Sequence, residues 1–282
     1  MTTQKIKIGS NLRLNVFDSA WQKKYPSDLT VVFIHGGTGS LLNWKYQLAY
    51  FSEKYRTIAY DWRGCGESDK ASSYTFNDHY LDFLSLIRVL NVTTKPILVA
   101  HSYGCLIAQR YLKEYRVEKF VNVSLGLGGG GGLFLKFILS LPKFLQLPIY
   151  RCCIVPKKPF LTKRFLASKK TSVEKVREAL ADNTLPPLEF YLGLKTFRKI
   201  ESWDWMKDYQ AKMLIISGRE DKRIKARNLR KINSFLPQIK IEIVQNAGHI
   251  LPYEVPMTFN RLIEAFIEAN WAEQIVGKFV KW

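Results

Sequence analysis

The sequence is short of acidic residues: 24 Asp and Glu stand against 43 Lys and Arg, a formal net charge of +19. A field of that size draws in anionic surfaces and substrates and alters encounter rates, but it does not choose a fold. No recognition motif or aromatic stacking platform accompanies the charge, so no specific nucleic-acid partner is expected. Long apolar runs are missing too. A spanning helix needs about 18 or more consecutive apolar residues, and the longest candidate, residues 133–155, is broken by Lys136, Lys143, Arg151 and two prolines. Met1-Thr2-Thr3-Gln4-Lys5 holds no apolar signal-peptide core. Cysteine is scarce. Cys65, Cys105, Cys152 and Cys153 have no metal-ligand spacing, and the adjacent Cys152 and Cys153 are poorly placed to pair, so reduced thiols are expected. These absences point to a cytoplasmic protein whose membrane contact, if any, is peripheral.

What is present is a rhythm. Lys5–Ile8 and Leu12–Phe17 flank Gly9-Ser10-Asn11 as an opening hairpin. Thr30–Ile34, Tyr55–Tyr60, Pro96–Ala100, Lys119–Leu125, Met213–Ser217 and Ile239–Val244 read as strands, several of them continuous apolar runs of the kind buried in parallel sheets. Helical patterns over 44–51, 76–90, 105–115 and 258–270 lie between or after them. Alternation of this kind predicts an α/β fold with a mostly parallel, doubly wound sheet. At 282 residues and 47% apolar, one domain with a substantial insertion is the simplest organisation. The rhythm breaks over 126–205, so the chain divides into a first core part (1–125), an inserted cap or lid (126–205) and a second core part (206–282). Within the insertion a polar helix is expected over about 172–182.

Ile97-Leu98-Val99-Ala100-His101-Ser102-Tyr103-Gly104 is a strand running into a sharp turn with one serine. Such a strand–serine–helix turn strains the backbone and lifts the hydroxyl clear of the sheet. The common form is Gly-x-Ser-x-Gly; here Ala100 replaces the first glycine. A serine nucleophile needs a base, an acid to hold that base, and donors for an oxyanion. Of four histidines, His35 opens a glycine turn and His79 sits in a helical pattern as a structural or surface residue. His101 is adjacent to Ser102, with its side chain expected to point away across the turn. His249, in a loop after the last strand, is the base candidate. Asp221, in Ser217-Gly218-Arg219-Glu220-Asp221, is the acid candidate, and Glu220 is the weaker alternative. The backbone N–H groups of Tyr103 and Gly37 are candidate oxyanion donors; Gly36, Thr38 and His101 are candidate substrate contacts.

With these residues in place the chain resembles the α/β-hydrolase fold superfamily, over about 5–125 and 206–270, and most nearly its abhydrolase-domain group of intracellular serine hydrolases. The carriers are Val32-Phe33-Ile34-His35-Gly36-Gly37, Asp61-Trp62-Arg63-Gly64-Cys65-Gly66-Glu67-Ser68, the turn at Ser102, Gly218-x-x-Asp221 and Gly248-His249-x-x-x-x-Glu254-x-Pro256. The order Ser…Asp…His is the order of that fold. The resemblance implies a serine hydrolase acting on lipid-like or small acyl esters, with no cofactor and no metal. It implies that Asp61 and Arg63 shape a turn rather than react, and that the insertion is the cap that sets substrate choice. Ser102 argues against relatives carrying Asp there, such as epoxide hydrolases. A thioester or carbon–carbon bond substrate, or a catalytically silent ligand-binding member of the fold, fits the same residues.

From Lys119 to Val173 there are ten Lys or Arg and no Asp or Glu, interleaved with apolar residues such as Leu133, Phe134, Phe137 and Phe144. A basic, apolar cap suits an anionic membrane surface; a cap helix packing its apolar face on the core is the plainer reading of the same residues.

Overall fold

Runs of alternating inward-facing apolar residues build the centre of the molecule. A computed structural model describes residues 1–124 (apart from 10 and 38), 159–182, 212–222 and 239–269, with positions 140–142, 144, 145, 148, 229, 232, 234 and 236. Its strands are β1 (Gln4–Lys7), β2 (Arg13–Asp18), β3 (Thr30–Ile34), β4 (Arg56–Tyr60), β5 (Ile97–His101), β6 (Lys119–Val123), β7 (Lys212–Gly218) and β8 (Lys240–Val244). They form one sheet in the order β1-β2-β4-β3-β5-β6-β7-β8. β2 pairs antiparallel with β1 and β4; all other neighbours are parallel. This is the expected doubly wound sheet with its opening hairpin.

Side chains of one strand alternate between faces, so a strand covered on both sides is apolar over most of its length. Val31, Phe33, Val99, Val121 and Leu214 pack with Leu48 and Phe51 of α1 (Lys45–Phe51) and Phe259 and Ile263 of α7 (Pro256–Glu268). Val32, Ile34, Leu98, Phe120 and Ile215 face the other way, onto Phe83 and Leu86 of α2 (Phe76–Val89) and Ile107 and Leu112 of α3 (Gly104–Glu114). A capping box between Thr75 and Asp78 starts α2. The end of α7 is held differently. Buried Lys119 donates from Nζ to the carbonyls of Phe266 (2.9 Å) and Ile267 (2.5 Å), satisfying oxygens that a helix C-terminus leaves bare. Lys119, the first of the basic residues counted above, therefore belongs to the core and not to a charged surface.

Between β6 and β7 the described residues hold two helices, α4 (Pro159–Leu166) and α5 (Val173–Ala181). The polar helix expected over 172–182 is α5. The basic run before it conceals α4, which opens on a proline, a residue that punctuates a sequence yet fits the first turn of a helix. Lys45 of α1 pins α5 through Glu178 (2.7 Å) and Asp182 (2.6 Å). Tyr253 of the short helix α6 (Leu251–Glu254) donates to Asp182 at 2.8 Å. The apolar run 133–139, Lys143, Cys152, Cys153 and the C-terminal 277–282 lie outside the described residues. Among those described, no helix is long and apolar enough to cross a membrane.

From β3 the chain passes to β4 on one side and then to β5 on the other. Ligands of such sheets bind beyond the carboxyl ends of the strands at this reversal, and the candidate site lies there.

Candidate active site

Ser102 leaves β5 with φ 49°, in the left-handed region that a serine adopts only when its surroundings insist. Its N–H donates to the carbonyl of Val123 (2.9 Å), and its own carbonyl accepts from Cys105 N–H (3.0 Å), so the turn is clamped between β6 and α3. Gly104 makes it possible. A Cβ there would stand 2.7 Å from the Ile34 carbonyl oxygen, and nearer still to that of His35. Ala100, where glycine is usual, buries its methyl among the core residues facing α2 and α3. The neighbouring Cys105 thiol is buried, donates to the Ala100 carbonyl at 2.9 Å, and has its pKa pushed far up by burial, which makes it an inert structural thiol.

His249 faces the serine. Its Nε2 lies 3.2 Å from Ser102 Oγ and its Nδ1 lies 2.8 Å from Asp221 Oδ2. A carboxylate can only accept, so Nδ1 carries the proton and Nε2 is left bare to accept from the serine hydroxyl. Asp221 and His249 are both buried, and Ser102 is partly exposed. The structure thus brings together the three residues chosen from the sequence, each just beyond the carboxyl end of its strand.

Glu220 turns elsewhere. Its carboxylate accepts from Ser168 Oγ (2.7 Å) and Lys169 N–H (2.9 Å), in the turn between α4 and α5. Those two bonds, Lys169's first, hold its pKa below the usual glutamate value. The weaker acid candidate thus faces the turn between α4 and α5, and Asp221 faces His249.

The glycine turn after β3 sits directly against Ser102. A Cβ on Gly36 would be 3.4 Å from Ser102 Cβ and 3.1 Å from His101 Nδ1. Gly37 is buried in the same turn; Thr38 lies outside the described residues. Tyr103, partly buried, leads into the first turn of α3. His101 is half-buried under the base: its Nε2–H donates to the His249 carbonyl at 2.9 Å, and the two rings are 4.9 Å apart. Its side chain does not simply point away across the turn; it supports the loop that carries His249.

His35 and His79 are buried too. Trp62 N–H donates to His35 Nε2 (3.1 Å), and His35 Nδ1–H donates to the Gly36 carbonyl (2.7 Å). Burial draws the His35 pKa down to about 4 and that of His79 to about 3, so both are neutral struts. His79 packs against Trp62, not at the surface. Asp61 accepts from Asn15 Nδ2, Leu41 N–H and Glu67 N–H, and Arg63 forks onto Asp82 with two 2.6 Å bonds. Both belong to the turn beside the site. Burial raises the pKa of Asp61 against the pull of its three donors.

Glu254 was visible only as a letter of the last motif. Its buried carboxylate accepts from Gly248 N–H (2.8 Å), Ser168 N–H (2.6 Å) and Thr171 Oγ1 (2.6 Å). Its proximity to His249 in sequence is the one signal that could have singled it out. Among the described residues, no three His, Cys, Asp or Glu side chains gather as a metal site requires.

Known proteins share this fold. The profile of the alpha/beta hydrolase fold family matches residues 30–256. Epoxide hydrolase 3 of Xenopus tropicalis is 24% identical over 269 residues, covering 86% of this chain and 72% of that protein. Protein ABHD8 of Mus musculus is 25% identical over 251 residues, with coverage of 86% and 55%, so the chain spans little more than half of ABHD8. The structure of a thermophilic esterase from Thermogutta terrifontis superposes with a TM-score of 0.77 at 18% identity, over 95% of this chain and 98% of that one. Sheet order, strained serine turn and profile together establish that the chain belongs to the alpha/beta hydrolase fold family.

Proposed function

We propose that the chain is a serine hydrolase of carboxylic esters, lipid-like or small acyl, working through an acyl-enzyme on Ser102. The carrying observation is the continuous line Ser102 Oγ, His249 Nε2, His249 Nδ1, Asp221 Oδ2, with gaps of 3.2 and 2.8 Å. His249 Nε2 takes the hydroxyl proton as Oγ bonds the ester carbonyl carbon. The displaced electron pair rests on the carbonyl oxygen, held by the N–H groups of Tyr103 and Gly37. Collapse breaks the bond to the alcohol, which leaves with the proton from His249. Water then gives its proton to Nε2 and its oxygen to the acyl carbon, and Ser102 leaves reprotonated. Asp221 holds the tautomer and steadies the imidazolium.

Serine also separates this reading from epoxide opening. A serine alkoxide attacking an epoxide would leave an ether with no carbonyl for water to attack, whereas an ester leaves a hydrolysable acyl group. A fluorophosphonate probe tests the proposal. Labelling of the wild type that is lost in Ser102→Ala is expected; a folded, unlabelled wild type overturns it.

The segment between β6 and β7 is read as the cap over this site, with an anionic membrane surface as its partner. Phe160, 72% exposed, stands on α4 beside a cavity of about 610 Å³ lined also by Ala167, by the four cations Lys163, Arg164, Lys169 and Lys222, and by Glu220. An exposed aromatic ringed by cations is the chemistry of interfacial docking. Sedimentation with phosphatidylcholine vesicles, with and without phosphatidylserine, should show binding only to the anionic set; no binding to either removes this partner.

A further inference from the structure

The turn between α4 and α5 is stitched to both loops that carry the base and its acid. His249 N–H donates to the Leu166 carbonyl at 2.6 Å, so the backbone of the base itself hangs on the end of α4. Gly248 is pressed against the same segment: a Cβ there would meet the Ala167 carbonyl carbon and the Leu166 oxygen, each at 2.7 Å. Glu254 closes the arrangement by accepting from Gly248 N–H on one side and from Ser168 N–H and Thr171 Oγ1 on the other. Lys175 Nζ reaches the Glu254 carbonyl from α5 at 3.0 Å. The two peptide N–H groups leading into His249 are therefore both fixed by contacts that involve the inserted segment.

We propose that Glu254 is a positioning residue for His249. Its carboxylate couples the seat of the 166–171 segment to the orientation of the base, so that the cap sets the alignment of His249 with Ser102. This inference rests on the serine-hydrolase reading above. A buried carboxylate that joins two backbone donors and a hydroxyl has no water to replace any of them, so losing one acceptor leaves a donor stranded. In Glu254→Gln one oxygen becomes an NH2 group that opposes either Gly248 N–H or the Ser168–Thr171 pair. Thr171→Val removes one of the two donors on the inserted segment, keeps Ser168 N–H, and leaves the base loop untouched.

The experiment measures fluorophosphonate labelling rate, kcat and KM on a p-nitrophenyl ester, and melting temperature. Misaligning the base is expected to slow labelling and kcat by about tenfold in Glu254→Gln, with KM within about twofold. Thr171→Val should move the same two quantities in the same direction by a smaller factor. Glu178→Gln serves as the control: it loosens α5 from Lys45 and Tyr46 of α1 without touching the 166–171 turn or its bonds to Glu254, so it should lower the melting temperature and keep kcat. Wild-type labelling and kcat in folded Glu254→Gln, or a loss of kcat in Glu178→Gln as large as in Glu254→Gln, overturns the inference. An unlabelled wild type would instead sink the serine-hydrolase reading on which it rests.

Discussion

Glu220 and Asp221 are sequence neighbours with opposite partners: Asp221 Oδ2 meets His249 Nδ1 at 2.8 Å, while Glu220 meets Ser168 Oγ at 2.7 Å. One residue faces the base, the other the inserted segment. The substitutions should separate accordingly. Asp221→Asn turns an amide toward Nδ1 and favours the wrong tautomer, which should cut kcat about 10³- to 10⁴-fold. Glu220→Gln keeps an acceptor for Ser168 and should stay within about tenfold, on the scale of a lost positioning contact. Equal losses in the two variants would reverse the assignment.

Gly104→Ala tests the turn at Ser102. The new methyl would strike the Ile34 and His35 carbonyls, which are backbone and cannot swing aside. Overpacking of this kind costs about 1–3 kcal/mol, so a lower melting temperature is expected together with slowed labelling of Ser102. A stable variant labelled at the wild-type rate would show that the turn tolerates a side chain.

The buried imidazoles fix the sign of a pH effect. His35 and His79 have folded pKa values of about 4 and 3, against 6.5 for a free imidazole. Between 6.5 and those values the unfolded chain binds protons that the folded chain refuses, so stability is complete above 6.5 and falls as pH drops through that window. Each group contributes a slope of up to about 1.4 kcal/mol per pH unit. Asp61, Asp82 and Glu254, raised by burial, act in the opposite sense. The difference between wild type and His79→Phe isolates the histidine: urea melts from pH 7 to 5 should show a shallower decline in the variant. Parallel declines would contradict a neutral buried His79.

Lys119→Met keeps the buried chain length and removes the donor to the last carbonyls of α7. A loss of about 1–3 kcal/mol is expected from stranding buried acceptors, read by urea melts. No change would mean that water replaces the ammonium.

Local chemistry made much of this legible in advance. Strands with both faces covered carry near-continuous apolar runs, as in Val31–Ile34, and the sequence shows the run directly. Ser102 and Asp221 stood out because each follows a largely apolar strand, and His249 because it lies in the loop after the last one. Glu254 did not, because its partners Ser168 and Thr171 are 86 and 83 residues away, and nothing in a glutamate's neighbours in sequence records a contact at that distance. The support that His101 gives the base loop is hidden for the same reason: its partner, the His249 carbonyl, lies 148 residues on.

The sequence by itself determined the alternation of strands and helices, the strained turn at residue 102 and the chain order of the three site residues. Those follow from periodicity, from glycine at 104 and from which side chains can move a proton. Tertiary structure alone decided which of two adjacent acids faces His249, that His79 and Lys119 are buried, and that the turn after α4 grips the base loop. These are matters of relative placement, settled when the parallel sheet closes and brings polar groups far apart in the chain to within hydrogen-bond distance.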